Sequence, residues 1–147
     1  MIRVAVVVGL AVLAAGCGGE AGSASWDGPQ RPFGTDGSVP VEDFNAYAGQ
    51  VDEPWEHSPA LLAGRFVRLD RSQATRTSID AAAQGEGTGS ATVTVTERGL
   101  LDDSVAAERY ILGLQRDGEV WHLASATWAQ SCRPGRGHEE FSPADCV

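Results

Sequence analysis

The spacing of apolar positions changes near residue 66 and divides the chain into a helical part and a strand part. From Ser38 onward apolar side chains recur at intervals of three and four residues, which is typical of one helix face. They are Phe44, Tyr47, Ala48 and Val51. Residues 52–55 predict a second helical start, and Ser58-Pro59 begins a third short helix that Gly64 is expected to end.

The remainder of the chain has the spacing of strands. A first apolar run contains Phe66, Val67 and Leu69, and a weaker run covers residues 77–83. Residues 84–90 are rich in glycine and predict a turn. Threonine and valine alternate through residues 92–97, as in a half-buried strand, and residues 99–104 predict a loop.

The clearest local pattern is a hairpin. Residues 105–115 and 120–130 flank the sequence Arg-Asp-Gly-Glu, and Asp-Gly between two such runs favours a two-residue turn. A turn at Asp117 and Gly118 fixes the register. The apolar face then pairs Leu114 with Trp121, Leu112 with Leu123 and Tyr110 with Ser125. The mixed face pairs Gly113 with His122, Ile111 with Ala124, Arg109 with Ala126 and Ala107 with Trp128. The mixed face carries both apolar and polar side chains, so it either faces solvent or forms a pocket.

Helices followed by an antiparallel meander predict an α+β fold, with short N-terminal helices packed on the sheet. The chain has 147 residues, and we expect a single globular domain over residues 38–147. Its 11 basic residues are all arginine and are outnumbered by 20 acidic residues, giving a net charge of −9. An acidic chain is a poor candidate for coating nucleic acid, so no nucleic-acid partner is expected.

The N-terminus has the pattern of an export signal. Arg3 precedes an apolar run over residues 4–13, which is too short to span a bilayer. Leu13-Ala14-Ala15-Gly16-Cys17 then resembles the lipobox of bacterial lipoproteins, although Ala14 stands where leucine is usual. The resemblance implies a signal peptide over residues 1–16, cleavage after Gly16 and lipid on Cys17. The protein would be anchored to the cell membrane on its extracytoplasmic face. The alternative is an ordinary secretory signal with a chance cysteine.

Residues 17–37 join the lipid-bearing cysteine to the domain. They are rich in glycine, serine, proline and alanine, with Trp26 and Phe33 as isolated aromatic residues. Such a composition predicts a flexible tether with a root-mean-square reach of about 25 Å.

The three cysteines fit this interpretation. If Cys17 carries lipid, Cys132 and Cys146 remain, and export places them in an oxidising compartment. They would then form a disulfide that closes a C-terminal loop. The alternative is two free thiols.

The C-terminal segment has the form C-x-x-G-R-G-H-x-x-F-S-x-x-x-C. It resembles an uncharacterised family of exported bacterial proteins, and the resemblance implies a shared domain and a shared disulfide without an activity. Gly135 and Gly137 bracket Arg136, so backbone N–H groups could converge on an anion together with the Arg136 and His138 side chains. In the alternative, Arg136 folds back onto an acidic partner and His138 packs on the sheet.

Patterns for catalysis, metals or cofactors are weak. The three histidines have no metal-ligand spacing, and Asp102-Asp103 lacks the spacing of a calcium loop, so we expect neither a metal nor a cofactor. The leading prediction is a non-enzymatic binding or accessory module of the cell envelope, with an envelope protein or a cell-wall ligand as partner. The alternative is an envelope enzyme or small-ligand binder with a pocket near Arg109, His122, Arg136 and His138.

Overall fold

A computed structural model describes residues 25–83 and 89–147. Two α-helices precede one antiparallel sheet whose strands lie side by side in chain order. The helices are α1 (Glu42–Ala48) and α2 (Pro59–Val67), and the strands are β1 (Arg76–Ala83), β2 (Ser90–Arg98), β3 (Val105–Asp117) and β4 (Val120–Cys132). The predicted α+β meander is confirmed. None of the helices in the described ranges is long and apolar enough to span a bilayer.

The hydrophobic core lies between the helices and one face of the sheet. Buried and partly buried residues alternate along β2, as the threonine–valine pattern predicts. The core side chains are contributed by both layers, and the largest fully buried ones are Phe44, Phe66, Leu62, Leu112, Leu114, Leu123, Val93 and Val95. At fully buried positions, each large side chain contributes about 1.5–3 kcal/mol.

Helix α2 is longer than predicted. Gly64 lies inside the helix, which continues to Val67, and the run beginning at Phe66 is therefore not a strand. Phe66 follows Leu62 by four residues and Ala63 by three, so all three occupy one helix face, and all three are buried. This packing outweighs the preference of Gly64 for a helix end.

The hairpin register differs from the prediction. Asp117 pairs with Val120, so Gly118 and Glu119 form the loop, and Gly118 supplies the positive φ of 61°. A bulge in β4 follows, because Leu114 pairs with Leu123 whereas Gly113 pairs with Ser125.

The bulge changes which residues of β4 face the core. Beyond it Tyr110 pairs with Trp128, which is buried on the core face rather than on the mixed face. Asn45 of α1 fixes the backbone here: its amide nitrogen donates to Leu123 O at 2.8 Å, and its amide oxygen accepts from Leu123 N at 3.1 Å. At the bulge two residues of β4 stand opposite one residue of β3. Beyond it, the side chains of β4 therefore point to the opposite face from the one that an unbroken register would give.

Part of the predicted tether belongs to the domain. Trp26 stacks on Phe66 with 5.7 Å between ring centroids and meets Phe44 edge-on at 5.2 Å. Phe33 packs against Trp128 at 5.3 Å. The boundary predicted at residue 38 is therefore too late, because long-range aromatic contacts hold residues from Trp26 onward.

The same segment covers the outer edge of β4. Gly37 O accepts a hydrogen bond from Trp128 N at 2.8 Å, and Val39 N donates to Ala126 O at 2.9 Å. Gly37 has φ of +83°, and a Cβ there would lie 2.4 Å from Trp128 O. Only glycine fits this crossing without displacing the backbone.

Candidate functional site

The structure does not bring all the predicted pocket residues together. Arg109 lies on the outer face of β3, where its guanidinium is 4.0 Å from the centroid of the Phe141 ring. His122 lies opposite Gln115, near the hairpin loop. Six residues of an extended strand span about 20 Å, so His122 is too far from Arg109 to share a small pocket.

The C-terminal loop is held by its own backbone. Arg136 N donates to Arg133 O at 2.9 Å, and Arg136 O accepts from Val147 N at 2.8 Å. The Arg136 side chain reaches Asp103 at 3.5 Å, and the two side chains are 48% and 90% exposed. Since the N–H of Arg136 is already engaged, the anion nest proposed for Gly135–Gly137 lacks its central donor. These contacts match the structural alternative for Arg136.

Cys132 and Cys146 form the disulfide, with 5.5 Å between their Cα atoms. His138 lies beside it, and its ligand nitrogen and the two sulfurs all lie within 4.8 Å of one another. Both sulfurs are used in the S–S bond, so the group does not offer two thiolates to a metal in this form. Gly137 passes over the bridge, and a Cβ there would lie 3.0 Å from Cys132 Sγ.

His138 connects two turns of the C-terminal segment. Its Nδ1 lies 2.8 Å from Glu140 O, and its Nε2 lies 2.9 Å from Ala144 O. A carbonyl oxygen only accepts, so both nitrogens are satisfied only when the ring carries two protons. These two hydrogen bonds raise the pKa of His138, and the bond to Ala144 O has the larger effect.

The raised pKa predicts a pH dependence of stability. The folded state binds the His138 proton more tightly than the unfolded chain, so this stabilisation is complete below the unfolded pKa of about 6.5 and is lost as the pH rises through the folded pKa. We expect the melting temperature to fall as the pH rises above about 6.5.

The His138→Gln variant should lose most of this pH dependence, as measured by thermal unfolding at a series of pH values. His122→Gln is the matched control and should keep it. An unchanged pH profile in His138→Gln would contradict the assignment.

A cavity lies at another place, where the N-terminal and C-terminal segments meet over β4. Its volume is about 410 Å³, within the range of small-ligand sites. Its walls come from both segments and from Trp128, and the lining residues are Arg31, Pro32, Phe33, Gly34, Thr35, Trp128, Pro143 and Asp145.

Arg31 is the cation of this cavity. Its guanidinium lies 4.0 Å from the centroid of the Trp128 ring and 5.3 Å from that of Phe33, so it is held over two aromatic faces. Its Nη2 also contacts Glu108 Oε1 at 2.5 Å. The Arg31 side chain is nevertheless 45% exposed. A cation that is positioned but still accessible can bind an anionic or aromatic group of a ligand.

Glu108 belongs to a row of polar side chains across the core face. It pairs with Glu97 on β2 and with Gln130 on β4. Glu97 is buried and accepts a hydrogen bond from the Ser72 hydroxyl. Burial raises the pKa of the Glu108 carboxyl, Glu97 adds to the rise, and Arg31 opposes it. The row places the carboxylate of Glu108 beside Arg31, with which it forms an ion pair.

Sequence reasoning missed Arg31, Phe33 and Glu108 and put Trp128 on the wrong face. The isolated aromatic residues in a glycine-rich segment were the available signal for Phe33. No family model, curated protein or solved structure matches the chain. The function is therefore argued from the cavity, its charges and the N-terminal motif.

Proposed function

We propose that this protein is a lipid-anchored binding module on the extracytoplasmic face of the cell membrane, and that the cavity around Arg31 takes its ligand. The observation that carries the binding site is the cavity itself, which has an aromatic wall, an accessible cation and the carboxylate of Asp145 at one place. A concave site of this volume with a few converging polar groups beside aromatic side chains can orient a small ligand.

The anchor rests on Cys17 and the lipobox-like sequence before it, which lie outside the described residues. The disulfide supports it indirectly: it uses Cys132 and Cys146, leaves Cys17 for another role and fits an oxidising compartment. Ser25 lies eight positions after Cys17, a span of at most about 28 Å when fully extended. A lipid on Cys17 would therefore keep the cavity near the bilayer surface, where an envelope protein or cell-wall fragment is the expected ligand.

The anchor is tested by cell fractionation. Cells expressing the full chain should retain it in washed membranes, whereas the Cys17→Ser variant should appear in the soluble extracytoplasmic or culture fraction. Several acyl chains on one residue anchor stably, so the difference should be nearly complete. Retention of Cys17→Ser in washed membranes would refute the lipid anchor.

The ligand site is tested by thermal unfolding against peptide and disaccharide-peptide fragments of the cell wall. A ligand at a hundredfold excess over its Kd stabilises the folded state by about 2.7 kcal/mol. Arg31→Gln should abolish the rise in melting temperature, whereas Arg116→Gln at the exposed hairpin end should keep it. An equal rise in Arg31→Gln, or none in the unchanged protein, would overturn this site.

A further inference from the structure

Strand β1 is an open edge of the sheet. All eight of its residues are exposed, and β2 is its sheet neighbour. The opposite edge, on β4, is covered by Ser38, which bridges to Thr127, and by Ser142, which bridges to Gln130. In the ranges 25–83 and 89–147 no such bridge covers β1. An uncovered edge offers a row of N–H and C=O groups to another strand.

The backbone hydrogen bonds between β1 and β2 show which residues of β1 could pair with a further strand. Thr75 N donates to Gly99 O at 3.3 Å, and Thr75 continues the register in which Arg76 faces Arg98. Because ladder pairing alternates, the odd-numbered residues direct their backbone groups toward β2. The even-numbered residues of β1 therefore direct theirs outward.

The core side of this edge is apolar and incompletely covered. Ile79 on β1 is 40% exposed and Leu61 on α2 is 57% exposed. With Trp55 and Leu69 they line a mainly apolar groove of about 380 Å³ between α2 and β1. Exposed apolar surface next to an open strand edge is typical of a protein–protein interface.

The charges of β1 are complementary to a second antiparallel copy of the same strand. Arg76 and Asp80 lie on the outer face, four residues apart. Arg76 faces Arg98 within its own sheet, which is an unfavourable pairing of like charges. An antiparallel second copy would bring its Asp80 beside Arg76 and its Arg76 beside Asp80.

We propose that the protein forms a two-fold dimer in which β1 pairs antiparallel with β1 of a second copy. Ile79 faces Ile79 of that copy at the two-fold axis, and Ser78 pairs with its Asp80. This register uses the outward even-numbered backbone groups, aligns core face with core face, and places Arg76 diagonally beside the second Asp80. The two four-stranded sheets become one eight-stranded sheet.

This arrangement is compatible with attachment to one membrane. The two-fold axis is perpendicular to the sheet, so the helical layers of both copies lie on the same side. Trp26, close to the N-terminal end of the described chain, packs on Phe66 in that layer. Both N-terminal segments then leave from the same side of the dimer. The dimer itself does not depend on the ligand site around Arg31.

The association is tested by sedimentation velocity of the full chain carrying Cys17→Ser, over a wide range of protein concentration. We expect a monomer–dimer equilibrium. Asp80→Arg should raise the dissociation constant about tenfold or more, because two attractive pairs become repulsive. The exchange Arg76→Asp with Asp80→Arg should restore association. A chain that is monomeric throughout, or that binds only an extended peptide of another protein, would overturn the dimer.

The register is tested by cysteine cross-linking in the same background. Non-hydrogen-bonded antiparallel partners have Cα atoms about 4.5 Å apart, which suits a disulfide. Ile79→Cys should therefore give a covalent dimer on mild oxidation. Thr77→Cys is the matched control on the same strand and face, where the two cysteines would be about 14 Å apart. Equal cross-linking of both variants would refute this register.

Discussion

Trp26→Ala is expected to lower the free energy of unfolding by about 3 kcal/mol. The indole ring stacks on Phe66 and meets Phe44 edge-on, and its Nε1 donates to Phe66 O at 2.8 Å. Truncation removes two aromatic contacts and leaves a buried carbonyl without this donor. Urea unfolding at neutral pH, followed by circular dichroism, measures the change.

Trp26→Phe separates the two contributions. It keeps an aromatic ring on Phe66 and loses the hydrogen bond, so it should destabilise the protein by about 1 kcal/mol. Leu101→Ala, at a side chain that is 80% exposed, is the surface control and should have little effect. If Trp26→Ala were as stable as the unchanged protein, residues around Trp26 would be a tether after all.

The expected loss of stability in Trp26→Ala contradicts the flexible tether that composition predicts for residues 25–37. Glycine, serine and proline predict a flexible segment because they carry little apolar surface. The structure is decided by two isolated aromatic residues, and the partner of Trp26 lies 40 positions away in the sequence. A contact of that separation leaves no local periodicity, so spacing could not reveal it.

The hairpin shows a second limit of sequence reasoning. Its position and its glycine-containing loop were predicted, since both follow from local patterns. The extra residue of the β4 bulge was not, because neither the turn nor the alternation of side chains marks it. In the structure Asn45 of α1 binds the backbone of Leu123 beside the bulge, a contact between residues far apart in the sequence. One unpaired residue moved Trp128 to the core face. The cavity that Trp128 forms with Arg31 could not be foreseen for the same reason.

Arg68 illustrates how a local rule yields to tertiary contacts. It ends α2 in the left-handed conformation with φ of 64°, which favours glycine or asparagine. Its side chain makes two bonds to Asp70, at 2.8 and 2.7 Å, and donates to Trp26 O. The bonds to Arg68 lower the pKa of Asp70 to about 2. Gly64, one turn earlier, was the better local signal for a helix end. The helix instead ends at Arg68, whose side chain binds the N-terminal segment through Trp26 O.

Removing the disulfide through Cys132→Ala with Cys146→Ala is expected to lower the free energy of unfolding by about 3 kcal/mol, because its loop of about 15 residues would no longer restrict the unfolded chain. Cys132 is buried whereas Cys146 is only partly so. The single variant Cys146→Ala should therefore show the loss of the cross-link with the least loss of packing.

The bridge should also affect the cavity, because the segment it closes carries Pro143 and Asp145. Hydrogen bonds would still hold part of this segment: Gln130 and Ser142 exchange two backbone bonds at 2.9 Å, and Gln130 Nε2 donates to Ala144 O at 2.8 Å. We therefore expect the variant to fold at low temperature but to bind any ligand of the Arg31 cavity more weakly. The loss of stability is measured by equilibrium unfolding of Cys146→Ala, compared with the unchanged protein in its reduced form. The weaker ligand binding is measured by thermal shifts with the cell-wall fragments. Unfolding at the same denaturant concentration with and without the bridge would show that native contacts alone, rather than the cross-link, fix the C-terminal segment.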